Sequence, residues 1–259
     1  MRQLKLTVAY DGTDLVGWQR QSAGTSVQGL LEEALTRIEG APVRVAGAGR
    51  TDAGVHALAQ VASCASTATL DCGTLRRALN AMLPPAVRVL GVEEVDAGFH
   101  ARFSARGKAY RYVLVEGPVV SPFAARYAWH VPHALDLAAM DAGALRMAGT
   151  HDFSGFQSTG SLVPHAVRTV TEATVTDVTP APGMPMQLAA AAGARVLAFD
   201  VAADGFLRHM VRAMAGTLVD IGAGRRDPSS VDGILAQRAR AAAGATAPAH
   251  GLWLVRVNY

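Results

Sequence analysis

Several strand-like segments of this chain follow one another with no helix between them, and this restricts the fold more than any other feature. Parallel strands need a long, usually helical crossover, whereas antiparallel strands join through short turns. Leu4, Leu6 and Val8 begin a strand with one buried face, closed by Asp11-Gly12. Thr25 and Gln28 have capping-box spacing, and Leu30, Leu31, Ala34, Leu35 and Ile38 form a helical apolar stripe that Gly40 ends. Val43 to Ala46 and Gln60 to Ala65 read as strands on either side of a glycine-bracketed loop. A helix is expected near Thr74 to Met82, stopped by Pro84-Pro85, then a strand over Val87 to Val95. Lys108 to Val115 alternates, with Tyr110, Tyr112 and Leu114 facing one way and Arg111, Val113 and Val115 the other. A helix over about Leu135 to Ala148 follows. Val167 to Val178 and Val196 to Val201 read as strands, with an extended loop at Pro180 to Gly193 between them. The pattern closes with a helix over Phe206 to Ile221, another from Pro228, and a strand at Leu252 to Val257. This order predicts an α+β fold with a largely antiparallel sheet, divided near Ala105-Arg106-Gly107 into halves 1–106 and 107–259.

A chain of 259 residues holds one large domain or two smaller ones with real cores. With half its residues hydrophobic and 17% charged, it is globular rather than disordered. A net charge of +3 permits an anionic partner but does not require one. Cys64 and Cys72 stand at neither CxxC nor zinc spacing, and are read as reduced, buried thiols of a cytoplasmic protein. The alternating N-terminus is a strand pattern, not a signal peptide, and no apolar run approaches the roughly 18 residues that span a bilayer.

The stretch Ala48-Gly49-Arg50-Thr51-Asp52-Ala53-Gly54-Val55-His56-Ala57 carries the chemistry. It holds one carboxylate, Asp52, in a turn whose glycines, Gly49 and Gly54, can take positive φ at little cost. An acid held beside a guanidinium, here Arg50, stays ionised and oriented, which suits a nucleophile or base better than a proton donor. The same residues also fit an ordinary turn in which Asp52 caps backbone N–H groups and Arg50 pairs at the surface. A second segment, Phe99 to Tyr112, has four Lys/Arg (Arg102, Arg106, Lys108, Arg111), four aromatic side chains and no acid. Basic groups contact phosphates and aromatic faces stack on unpaired bases. The competing view is a strand with core aromatics and solvated arginines. A third, Gly205 to Arg212, sets Arg208 and Arg212 four apart on an expected helix that buries Phe206, Met210, Ala213 and Met214.

The eight positions Gly49 to His56 resemble the signature loop of the TruA family of tRNA pseudouridine synthases. Phe99-His100-Ala101-Arg102-Phe103-Ser104 with Lys108-x-Tyr110-x-Tyr112, and His209-Met210-Val211-Arg212, resemble two further family elements. Tyr10-Asp11-Gly12-Thr13 with Gly17-Trp18-Gln19, and His151 to Phe156 with Arg168-Thr169, extend the likeness in family order. Pro180 to Ala194 departs from it. The resemblance implies two similar α+β halves sharing a continuous sheet with the active cleft between them. It implies that Asp52 is the catalytic nucleophile, that Tyr110 stacks on the target uracil, and that Arg212 pairs with Asp52, with Tyr112 packing instead. Arg50 then holds the loop or a displaced nucleotide, and Arg102, Arg106, Lys108, Arg168 and Arg208 are candidates for RNA contact. The implied substrate is uridine in the anticodon arm of tRNA, positions 38–40, and the implied assembly is a homodimer.

Pseudouridine formation breaks the N1–C1′ bond, turns the uracil and rejoins it through C5. No redox change or external group enters, so no cofactor is expected. Asp52 attack at the ribose, attack at the base, and a glycal route all remain open. Two other classes compete: an RNA-binding protein without catalysis, and a hydrolase, which usually needs two carboxylates where this chain offers one strong candidate. Gly47-Ala48-Gly49 is no dinucleotide fingerprint, because Asp52 stands at the third glycine. His130 and His133 lack further ligands at metal spacing.

Overall fold

The computed structural model describes residues 1–158, 160, 165–179 and 194–259. The chain runs β1 (Arg2–Tyr10), α1 (Val27–Glu39), β2 (Ala46–Gly47), β3 (His56–Ser66), α2 (Cys72–Met82) and β4 (Val87–Val95). It continues β5 (Gly107–Glu116), β6 (Trp129–Val131), α3 (Leu137–Leu145), β7 (Gly149–Asp152), β8 (Val167–Asp177) and β9 (Arg195–Ala203). It ends α4 (Met210–Gly222), α5 (Ser230–Gln237) and β10 (Leu252–Asn258). Two compact units result: Met1–Arg106 with Trp253–Tyr259, and Gly107–Leu252. The last residues therefore group with the first unit rather than with the segment they follow.

In the first unit the strand order is β4-β1-β3-β10, with β2 also on β3. β1 is antiparallel to both neighbours, and β10 runs parallel to β3 with Trp253 opposite His56. Leu4, Leu6 and Val8 of β1 are fully buried, as their alternation predicts, and Leu31 and Leu35 of α1 and Leu75 and Leu79 of α2 are fully buried too. The β1–β3 register slips between Val8↔Gln60 and Tyr10↔Ala57. Such irregularities bend a strand and re-aim its side chains; this one lies at the end of β3 that carries the Asp52 loop.

In the second unit the order is β5-β9-β8-β7, with β6 on β5. β5·β9, β8·β9 and β7·β8 are antiparallel and β5·β6 parallel. α3 packs on β8 and on α4. The α+β class with mainly antiparallel pairing is as the sequence predicts.

The elements differ from the expectation in several places. The cap of α1 is Ser26, not Thr25: Ser26 Oγ accepts from Gly29 N at 3.2 Å, while the Gln28 amide donates to Val45 O at 2.9 Å and accepts from Arg20 N at 3.0 Å. The strand expected at 43–46 shrinks to Ala46–Gly47. The strands β6 and β7 are too short to show a period. α4 starts at Met210 rather than Phe206, because His209 sits at φ 61°, a left-handed conformation that interrupts the helical path. Phe206 and Arg208 thus lie before the helix, and the expected alignment of Arg208 with Arg212 on one helical face is lost. Both cysteines are free, but only Cys64 is buried; Cys72 is partly exposed. The loop expected at Pro180 to Gly193 lies outside the described residues. No helix among the described residues is long and apolar enough to cross a membrane.

Candidate active site

The Asp52 loop is fixed from beneath by buried polar groups of the first unit. Tyr10 of β1 and Thr51 of the loop share a hydrogen bond between Tyr10 Oη and Thr51 Oγ1 at 2.8 Å. Gln60 of β3, 0% exposed, donates from Nε2 to Gly49 O at 3.0 Å and to Tyr10 Oη at 3.4 Å. Burial pushes the Tyr10 hydroxyl up to about 12, against the opposing hydrogen bonds to Thr51 and Gln60, so it stays protonated. Backbone closes the rest: Trp18 N donates to Thr51 O at 3.1 Å and Val55 N to Asp52 O at 3.2 Å. Gly54 takes φ 79° as expected; Gly49 does not take positive φ. Gly17, at φ 98°, lets the neighbouring loop close in, since a Cβ there would lie 2.4 Å from Thr51 O.

After the loop, His56 is fully buried and its ring stacks on Trp253 at 4.4 Å between centroids. Its Nδ1 accepts from Gly12 N at 3.0 Å, and Asp11 Oδ1 lies 3.2 Å away. The result is a carboxylate, Asp52, half-buried on a turn whose two sides are held by strand, ring and backbone bonds. Arg50 points outward and is exposed, with no carboxylate paired to it among the described residues.

The basic segment begins in the same unit. Ala101 is fully buried and held at both ends: its N–H donates to Ser63 Oγ at 3.0 Å and its carbonyl accepts from Tyr259 Oη at 2.7 Å. His100 Nδ1 accepts from Arg102 N at 3.1 Å, and Ser104 N donates back to His100 O at 2.9 Å. This stand presents Phe103, 78% exposed, with the His100 ring 4.4 Å from it and the Arg102 guanidinium 5.6 Å from its centroid. Arg106 is exposed, its N–H bonded to Asn258 O at 2.9 Å.

In the second unit Tyr110, 8% exposed, meets the edge of Phe206 at 5.0 Å and 83°. Tyr112 is fully buried, its hydroxyl donating to Pro248 O at 2.8 Å, and burial raises its pKa. It packs, as its place in the pattern implies. Arg111 forms a bidentate ion pair with Asp200 of β9 at 2.7 and 2.8 Å, its register partner, so it is a strand-pairing group. Arg212 of α4 donates from Nε to Ala247 O at 2.8 Å, and Ala247 N returns a bond to Arg212 O at 3.0 Å. Its charge reaches His250, whose pKa is lowered by burial first and by Arg212 as well, against a backbone bond with Ala128. Lys108 is half-buried on β5. Arg168 donates to His165 O and Val167 O at 2.9 and 2.6 Å rather than to any acid among the described residues. Arg208 is exposed. Among the described residues no group of three or more His, Cys, Asp or Glu could hold a metal ion.

The sequence pattern misses Tyr10 and Gln60 as supports of the loop, and does not single out Phe103 among the four aromatics of its segment. Gln60 does leave a trace, as a polar residue on a strand whose neighbours are apolar.

The model of the tRNA pseudouridine synthase family matches residues 6–104 and 144–259, which takes in the Asp52 loop, the Phe103 stand and Arg212. The chain belongs to the tRNA pseudouridine synthase family. Among its relatives, tRNA pseudouridine synthase A of Nitratidesulfovibrio vulgaris is 47% identical over 281 residues, covering all of both chains. The protein of the same name from Moorella thermoacetica is 44% identical over 258 residues, covering 99% of each chain. That from Syntrophotalea carbinolica is 41% identical over 259 residues, covering all of this chain and 97% of its own. The likeness runs through the full chain, so both units of this family member are matched.

Proposed function

We propose that this chain isomerises uridine to pseudouridine in the anticodon arm of tRNA, at positions 38–40, with Asp52 as the nucleophile. Membership of the family makes it an isomerase acting on tRNA. The observation that carries the finer assignment is the support of the Asp52 turn by the buried Tyr10–Thr51–Gln60 network. A carboxylate on an ordinary surface turn needs no such scaffold, whereas a nucleophile needs its position fixed.

Asp52 adds to the ribose or to the base, or assists a glycal route; in each, the N1–C1′ bond breaks, C5 bonds to C1′, any bond to Asp52 is released, the C5 proton leaves to solvent and N1 takes up a proton. Tyr110, held against Phe206, gives the uracil a face to stack on. Arg212, its guanidinium fixed on Ala247 O, binds the substrate. Because the base must leave its stack, the flipped state costs a few kcal/mol, offset by stacking and phosphate contacts. Arg50, Arg102, Arg106, Lys108, Arg168 and Arg208 supply the phosphate contacts. The atoms of substrate and product are the same, so the reaction consumes no cofactor. A homodimer in the cytoplasm completes the reading; sedimentation as a monomer at micromolar concentration would remove the dimer.

The test is to incubate unmodified tRNA with the protein and map pseudouridine by carbodiimide adducts and primer extension. Stops at positions 38–40 are expected. Stops elsewhere would overturn the site assignment, and none at all would overturn the activity.

A further inference from the structure

The second unit contains a cleft of about 420 Å³ lined by Ser158, Arg208, His209, Arg240 and Thr246. Its lining is rich in hydrogen-bond donors. Arg240 is held in place by its own loop, donating from Nη1 to Gly244 O and from Nη2 to Thr246 Oγ1, both at 2.8 Å. Because Thr246 Oγ1 accepts that bond, its own O–H remains a donor. Ser158 Oγ is buried and has no hydrogen-bond partner among the described residues, which a native structure seldom leaves unexplained. Elsewhere in this unit Arg225 and Arg226 pair with Asp220, and Arg238 with Asp152. Arg208 and Arg240 have no carboxylate partner among the described residues. Two guanidiniums and two hydroxyls around one cavity, with no acid to neutralise them, make a receptor for a polyoxygen anion.

We propose that this cleft binds one backbone phosphate of the RNA substrate, next to the nucleotide that is isomerised. The placement follows from chain neighbours. Thr246 precedes Ala247, which holds Arg212, and Arg208 follows closely on Phe206, which holds Tyr110. The cleft thus draws on the same chain segments that hold Arg212 and Tyr110, the residue assigned to stack on the uracil. This inference rests on the tRNA reading above.

The test uses the full-length protein and a synthetic anticodon arm in which each phosphate in turn is replaced by an uncharged methylphosphonate. For the parent, one replacement near the target is expected to weaken binding roughly tenfold, the worth of one charge-assisted hydrogen bond. Arg208→Gln, a change at an exposed residue, should bind the all-phosphate RNA that much more weakly and be indifferent to the same replacement. Its slope of log K against log salt should be shallower by about 0.7–0.9, one counterion's worth. Ser158→Ala should show the same indifference in part. If every replacement weakens parent and Arg208→Gln alike, the cleft holds no substrate phosphate, or serves only a free anion, and the inference is overturned while the activity stands. If the arm is neither bound nor isomerised, the tRNA reading fails and takes the inference with it.

Discussion

Removing the hydroxyl of Tyr10 is the sharpest probe of how the Asp52 turn is held. Tyr10→Phe keeps the ring, which lies 6.4 Å from Trp18 at 40°. It deletes the 2.8 Å bond to Thr51 Oγ1 and the 3.4 Å contact with Gln60, whose amide keeps Gly49 O at 3.0 Å. Thr51 is buried, so its hydroxyl is left without this partner, at a cost of about 1–3 kcal/mol. Thr51→Val conserves shape and leaves Tyr10 Oη with only the long contact, at a similar cost. In the double variant neither orphan exists, and removing both partners costs far less than the sum. The cycle should therefore show a coupling of about 1–2 kcal/mol by urea denaturation, each kcal/mol moving Tm by about 2–4 °C. Both single variants should also lose kcat/KM through displacement of Asp52. Additivity within about 0.5 kcal/mol, with activity intact, would refute the claim that this network positions the nucleophile.

Gly17→Ala forces a side chain into φ 98° and to within 2.4 Å of Thr51 O; a loss of about 3 kcal/mol or more is expected, and an unchanged urea midpoint would show that the loops do not press together. Glu39 is held at about 2: burial alone would raise it, but hydrogen bonds from Ser66, Thr67 and Ala68 outweigh that. Its contribution is present above the usual carboxylate range and lost as pH falls through about 2. Glu39→Gln should thus lower stability at pH 7 by about 1 kcal/mol after solvent screening, and parent and variant should converge in acid; a gap that is constant with pH would contradict this. Phe103→Ala removes an exposed ring, so stability should hold while tRNA binding falls by about 1–3 kcal/mol. Unchanged binding in gel shift would make the stand a structural turn only.

β1 was legible because it buries one face, β5 because its side chains alternate in type although Tyr112 to Val115 are all buried, and β4 because Pro84-Pro85 precede an apolar run; Gly40 ended α1 because the chain turns left-handed there. The start of α4 was not legible: a histidine at φ 61° carries no compositional mark, and apolar spacing runs on through Phe206 as though the helix did. The return of Trp253–Tyr259 to the first unit is a long-range pairing that periodicity cannot encode. Around the site, Asp52 could be picked out by its motif, but the groups that hold it come from other elements: Tyr10 of β1, far away in sequence, and Gln60 of β3. Arg50, adjacent in the loop, points outward instead. Spacing along a chain tells which residues share an element, and says little about which side chains meet across a sheet.

The central claim is that Asp52 carries out uridine isomerisation, and release of tritium from uracil C5 of labelled tRNA tests it most directly. Isomerisation must eject that hydrogen, whereas binding leaves it in place. The account predicts release by the parent and none by an Asp52→Asn protein that is folded and still binds tRNA. Undiminished release by Asp52→Asn would contradict it.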